Sequence, residues 1–232
     1  MNTYYIKPNV FYVFKYKNVL KINKTIDQSC NLIIIDNFYE NPNEVRKFAL
    51  EQEFNITGNY PGMRTARTFG GIQLRDKIQG YIIQYGYKII KFTVNEFIEE
   101  NNDNCSFTMN CANDIAKSWI HVDTLYCKLE KDKKKIVHMA GVLYLSPNAP
   151  PNSGTTFYRF DYSNENYDKN IPIMKYTHDI TKWKKIDTIG NLFNRLIIFN
   201  AHIHHSIEML FGIDKYDGRL TQNFFFTCEK VE

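Results

Sequence analysis

The run Ile136 to Ser146, IVHMAGVLYLS, is short, largely apolar and bounded by turns, as a buried β-strand is. It belongs to a series. CSFTMNC (105–111) and SWIHVDTLYCKL (118–129) precede it, and GTTFYRF (154–160), NRLIIFNA (194–201), HHSIEML (204–210) and RLTQNFFFTC (219–228) follow. Short alternating or apolar runs at this spacing are the texture of a β-sandwich or barrel. Upstream the pattern differs. A buried strand at Leu32–Ile35 leads to a helix start, with Asn41 as N-cap, Pro42 in the first turn and Glu44 near the positive end of the dipole. Val45, Phe48, Ala49 and Gln52 then recur at helical spacing. A second helix is predicted over Gln73 to Tyr85, where Leu74, Ile78, Tyr81, Ile82 and Tyr85 recur at three and four. The expected class is α+β, mainly β, with N-terminal helices buttressing a β core.

No repeat, Pro-rich linker or long charge block divides the 232 residues, which predicts one domain: strands and helices over 1–104 and the β core over 105–232. The charged run Glu130–Lys135 lies between two strand-like runs and reads as a solvated hairpin tip. Residues 161–191 are long for a connection within a sheet, so an insertion is expected there, with a short helix around Thr181 to Ile186.

Composition excludes several classes. With 44% hydrophobic and 23% charged residues the chain is neither a disordered tail nor a collagen. A net charge of +4 is too small and dispersed to name a nucleic-acid partner. The 5 cysteines, Cys30, Cys105, Cys111, Cys127 and Cys228, are odd in number and form no C-x-x-C pair, which argues against a zinc knuckle or a complete disulfide framework and for a reducing compartment. Lysines interrupt the N-terminal segment where a signal peptide needs an apolar core, and no later run is long enough to span a membrane. A cytoplasmic protein without a membrane partner is expected. The bias toward Asn, Ile and Lys suggests an AT-rich genome such as that of a large virus or phage, in which case the compartment is the host cytoplasm.

The chemistry concentrates in two places. His121-Val122-Asp123 lies in a strand-like run, where residues i and i+2 share a face, so both side chains can meet one ion. An H-x-D alone is more often a surface pair. A third ligand is on offer in Asn200-Ala201-His202-Ile203-His204-His205-Ser206, where a strand ends among three histidines. Two histidines and a carboxylate form the facial set that leaves positions open on non-haem Fe(II). Beyond the histidines, Arg219 opens a strand and Thr221 shares its face. If 2-oxoglutarate supplies the electrons, its far carboxylate needs such a cation, and a guanidinium grips it with two hydrogen bonds. Arg64 and Arg67, after the Pro61-Gly62 turn, are candidates for holding an anionic or peptide substrate, although surface arginines paired with acids are commoner. Trp119 reads most simply as core.

These residues resemble the 2-oxoglutarate- and Fe(II)-dependent oxygenases, close to the prolyl-4-hydroxylase-like branch with its uncharacterised bacterial, phage and viral members. The resemblance spans most of the chain, in the family's order: IIIDNFYENPNEVRKFALEQEF (33–54), NYPGMRT (59–65), WIHVDT (119–124), AGVLYLSPNAPPNSGTTFYR (140–159), NRLIIFNAHIHHSI (194–207) and GRLTQNFFF (218–226). It implies a double-stranded β-helix, a jelly-roll or cupin-like barrel. It implies Fe(II) and 2-oxoglutarate as cofactors, O2 as cosubstrate, and ascorbate as a candidate reductant.

Carried over residue by residue, the resemblance makes His121 and Asp123 the first two iron ligands. The family places its distal histidine just before a serine or similar residue, ten residues after the arginine of an RLIIF-like strand, which selects His205; His204 is the reserve and His202 structural. Arg219 and Thr221 fall to the 2-oxoglutarate carboxylate, and Tyr144 either joins them or fills the barrel. The nucleic-acid demethylase branch has a second arginine six residues after the first, where this chain has Phe225, so a nucleic-acid substrate is disfavoured. A peptide, protein or small molecule is expected instead, hydroxylated at a C–H bond as 2-oxoglutarate becomes succinate and CO2. The competing readings are a non-catalytic β-barrel binding module and a cupin-like metal hydrolase or isomerase, which would leave Arg219 and Thr221 unexplained.

Overall fold

The structure is a computed structural model and describes residues 32–95, 104–115, 119–123, 136–163 and 173–231. Cys30, Cys127, the Glu130–Lys135 tip and everything before Leu32 lie outside the described residues. In chain order the strands and helices are β1 (Leu32–Ile35), α1 (Pro42–Leu50), β2 (Phe54–Ile56), β3 (Met63–Thr68), α2 (Ile72–Ile82), β4 (Tyr87–Lys91), β5 (Ser106–Asn110), β6 (Ile136–Tyr144), β7 (Thr155–Phe160), β8 (Trp183–Ile189), β9 (Leu196–Asn200), β10 (His204–Ile207) and β11 (Arg219–Lys230).

Two antiparallel sheets face each other. The larger has 8 strands in the order β1-β9-β6-β11-β5-β3-β2, with β4 also on β11; the smaller has 3, β10-β7-β8. β11 is the spine: it pairs with β6 along one side and with β5 and then β4 along the other. The period-2 alternation of strand side chains divides the core into two layers. Ile33, Ile35, Leu143, Leu196, Ile198, Leu220 and Phe224 form one cluster with Ala49 of α1 and Ile78 and Ile82 of α2. Their neighbours Leu32, Ile34, Tyr144, Ile197 and Phe199 point the other way and meet Phe157 of β7 and Ile189 of β8. The Phe157 and Phe199 rings stand 5.1 Å apart across the gap between the sheets. The fold is therefore a double-stranded β-helix, with both helices buttressing the outer face of its larger sheet.

The helices sit where the sequence predicts them, and packing holds them more than capping does. Asn41 and Gly71 occupy the N-cap positions without a side-chain cap hydrogen bond. A good cap contributes about 1 kcal/mol, whereas full burial of Ile78 and Ile82, each 0% exposed, contributes about 1.5–3 kcal/mol apiece. A two-pronged ion pair ties the end of β1 to the start of β9, with Arg195 Nε 2.6 Å from Asp36 Oδ1 and Nη2 3.0 Å from Oδ2.

One expected element is corrected. The helix expected around Thr181 to Ile186 is absent: Ile180–Lys182 make a single 3-10 turn and Trp183–Ile189 form β8. The register of β8 on β7 shifts between Phe157 and Tyr158, and that irregularity breaks the alternation a regular strand would show. Trp183 and Ile186 are left at a helix-like spacing. The excursion expected over 161–191 therefore ends at 182, and residues 164–172 of it lie outside the described residues.

The Pro61-Gly62 turn has a firm backbone requirement. Gly62 adopts φ +76, and a Cβ there would stand 2.1 Å from the Met109 carbonyl oxygen. Gly62→Ala is expected to lower folding stability by about 1–3 kcal/mol, read as a shifted denaturant midpoint.

Candidate metal centre

The stretch Trp119–Asp123 extends the smaller sheet. His121 N donates to the His205 carbonyl at 3.0 Å, His205 N returns the bond at 2.9 Å, and Asp123 N donates to Ala201 O at 2.9 Å. Antiparallel pairing sets His121 opposite His205, and the strand period puts Asp123 on the same face as His121. His205 is turned inward; its neighbour His204 is turned outward, its ring 4.8 Å from that of Trp183. The structure thus brings together His121, Asp123 and His205, whose ligand atoms all lie within 4.8 Å of one another.

Both imidazoles are oriented by backbone. Nδ1 of His121 lies 2.9 Å from the Trp119 carbonyl, and Nδ1 of His205 lies 2.9 Å from that of Ile203. A carbonyl only accepts, so each Nδ1 carries a proton and each Nε2 is left to face the site. Those nitrogens face Asp123, at 3.7 Å from Oδ1 for His121 and 3.3 Å from Oδ2 for His205. Burial pushes the His205 pKa down to about 4, against the pull of Asp123, so this ring is an acceptor at neutral pH. An acceptor nitrogen facing a carboxylate is an arrangement that suits a cation between them. These separations, 3.7 and 3.3 Å, bring all three side chains within reach of a single divalent ion.

The three side chains open into a cavity of about 660 Å³, its mouth included, which Arg219, Thr221 and Arg64 also line. Arg219 is 3% exposed. Its Nε donates to the Ser153 carbonyl at 3.1 Å and its Nη1 to Asn110 Oδ1 at 3.4 Å. Burial lowers its pKa below the ordinary arginine value, and among the described residues no carboxylate pairs with it. An uncompensated buried guanidinium costs several kcal/mol, which an anion in the cavity would offset. Tyr144 lies behind the lining: it is fully buried, its hydroxyl 2.7 Å from Thr155 Oγ1 and its ring centroid 5.4 Å from the Arg219 guanidinium.

Comparison with known proteins adds a family. Residues 18–171 match the model of DUF6445, a family of unknown function. The chain belongs to this family. The matched stretch contains His121, Asp123 and Arg64 but ends before His205 and Arg219. No curated protein matches the DUF6445 chain in sequence. Among solved structures it is similar to HygX from Streptomyces hygroscopicus with nickel and 2-oxoglutarate bound, at 9% identity and TM-score 0.47, covering 93% of this chain and 87% of that one. It is also similar to a prolyl hydroxylase from Trichoplax adhaerens in complex with a hypoxia inducible factor peptide fragment, at 14% identity and TM-score 0.44, covering 90% and 86%. A Pseudomonas putida prolyl-4-hydroxylase gives 13% identity and TM-score 0.41, covering 87% and 93%. Likeness at this level says nothing about the reaction.

Further residues line the DUF6445 site. Arg64 lines the cavity with its guanidinium 3.6 Å from the Tyr60 ring centroid, whereas Arg67 is exposed and outside the lining. Trp119, expected in the core, is only partly buried and lines the cavity as well as packing near Ile120 and Trp183. Thr108, Asn110 and Asn223 complete a polar wall, with Asn223 Nδ2 donating to Thr108 Oγ1 at 2.8 Å. The signal for them was present: in Ser106-Phe107-Thr108-Met109-Asn110 every second residue of a buried strand is polar, and in Arg219 through Asn223 every residue but Leu220 is.

Proposed function

We propose that the chain is a 2-oxoglutarate- and Fe(II)-dependent dioxygenase that hydroxylates a C–H bond of a peptide, protein or small-molecule substrate. One observation carries the reading: two oriented imidazoles and a carboxylate share a cavity with a buried arginine that has no carboxylate partner among the described residues. Metal-assisted hydrolysis requires the first half of that arrangement but not the second.

His121, Asp123 and His205 would hold the iron from one side, leaving its cavity side open to ligands. Bound there together, iron and 2-oxoglutarate supply the oxidising chemistry that inserts an oxygen atom of O2 into a C–H bond, with succinate and CO2 as co-products. The chain's part is to bind, orient and exclude water. Arg219 grips the distal carboxylate in two-pronged fashion, and Thr221, on the same face of β11, adds a hydroxyl. Tyr144 supports this end from behind through Thr155, and burial raises its pKa, so it stays a neutral phenol. Val142, Ile207 and Phe225 give the cavity its apolar lining. Phe225 follows Arg219, Thr221 and Asn223 on the same inward face, so no second arginine stands there to meet a nucleic acid. Arg64, against Tyr60, is a second arginine in the lining and would meet an anionic group of the substrate.

Turnover tests the proposal. Iron-loaded protein in air is expected to convert 2-oxoglutarate to succinate slowly alone and faster with some members of a peptide and metabolite library. Failure to consume 2-oxoglutarate under any of these conditions would contradict it.

A further inference from the structure

We propose that Asn110 is a positioning residue which aims Arg219 at an incoming dianion while leaving the guanidinium charge intact; this rests on the reading of Arg219 as the 2-oxoglutarate anchor. Asn110 ends β5, is 0% exposed and pairs in register with Arg219 across the sheet. Its amide orientation is settled by chemistry: Nδ2 donates to the Pro61 carbonyl at 2.5 Å, and a carbonyl only accepts. Oδ1 therefore faces Arg219 Nη1, 3.4 Å away. The other groups on the guanidinium, the Ser153 carbonyl and the Tyr144 hydroxyl, are likewise neutral dipoles. Aspartate has almost the same shape as asparagine and is the usual partner of a buried arginine, yet it would neutralise the charge that a dianion must find. A neutral amide supplies direction without competing.

The same side chain reaches the substrate end of the cavity. Pro61, its other partner, lines that cavity beside Tyr60 and Arg64. Asn110 thus links Arg219 to the Tyr60–Arg64 stretch of the lining.

The test measures selectivity in protein loaded with Mn(II), by calorimetry with 2-oxoglutarate and with 2-oxopentanoate, which keeps the keto-acid end and chain length but lacks the distal carboxylate. The parent is expected to prefer 2-oxoglutarate by about 10- to 150-fold, the worth of a charged hydrogen-bonding contact. In Asn110→Asp that preference should collapse to about one while 2-oxopentanoate affinity holds, because the new carboxylate occupies the guanidinium. Asn110→Ala should lose about 5-fold in 2-oxoglutarate affinity only, which leaves a preference of roughly 2- to 30-fold. A preference that survives in Asn110→Asp, or an equal loss for both ligands in either variant, would overturn the inference. Should Asn110→Asp not fold, Asn110→Ala decides: loss confined to 2-oxoglutarate supports it, and equal loss or no loss overturns it. A parent that does not prefer 2-oxoglutarate defeats the anchor reading itself, and the inference with it.

Discussion

His121→Ala and Asp123→Ala are each expected to abolish 2-oxoglutarate turnover and to leave a folded chain. Two remaining donors hold a divalent ion too weakly to keep it at working concentrations, so both variants should lose metal in equilibrium dialysis. Stability should behave differently. His121 keeps 32% of its side chain exposed, and neither residue belongs to the two large apolar clusters that bind the sheets and helices together. Asp123 in the metal-free chain faces the acceptor nitrogen of His205 at 3.3 Å, a contact without benefit until a cation arrives. The melting temperature of metal-free Asp123→Ala is therefore expected to equal or exceed that of the metal-free parent. If the metal-free parent unfolds, or if either variant loses its fold, the ion is structural rather than catalytic.

Arg219 has the second large effect. Arg219→Lys keeps the charge and loses the planar fork, so 2-oxoglutarate binding should weaken while Fe(II) affinity stays near that of the parent. Arg219→Ala should be worse. A hydrogen bond to a charged group is worth about 1.5–3 kcal/mol, which corresponds to a roughly 10- to 150-fold rise in the dissociation constant. The geometry adds a reason for the lysine defect: Nε and Nη1 are held by Ser153 and Asn110, and a lysine has no planar fork to fill both contacts while still meeting a ligand. Anaerobic calorimetry with iron bound reads the effect directly. Unchanged 2-oxoglutarate affinity in Arg219→Ala would return the residue to a structural role.

How much of this was legible in the sequence depends on what each residue's neighbours had to be. β6, β9 and β11 were readable because buried strands need apolar runs, and α2 because Leu74, Ile78 and Ile82 repeat at helical spacing. β8 was not, because its pairing with β7 is irregular and its lysines face outward. The candidate metal set was legible as H-x-D plus a cluster of histidines, but composition does not choose between His204 and His205. The choice follows from register: His205 pairs opposite Phe157, whose side chain enters the core between the sheets, while His204 pairs opposite Tyr158 on the outer face. Nor could residues so far apart in sequence declare that Asn110 and Arg219 are cross-strand partners. Arg64 and Arg67 looked equivalent beside the turn, and only the course of β3 separates the one lining the cavity from the one facing solvent.

The most direct measurement is anaerobic addition of Fe(II) and then 2-oxoglutarate to the purified chain, followed by visible absorption. One iron per chain should bind, and 2-oxoglutarate should then raise the weak charge-transfer band of an iron-chelated keto acid in the parent but not in His121→Ala. Iron that binds at this site without the band appearing at saturating 2-oxoglutarate, or a chain that binds no iron at all, would contradict a 2-oxoglutarate-dependent centre at His121, Asp123 and His205.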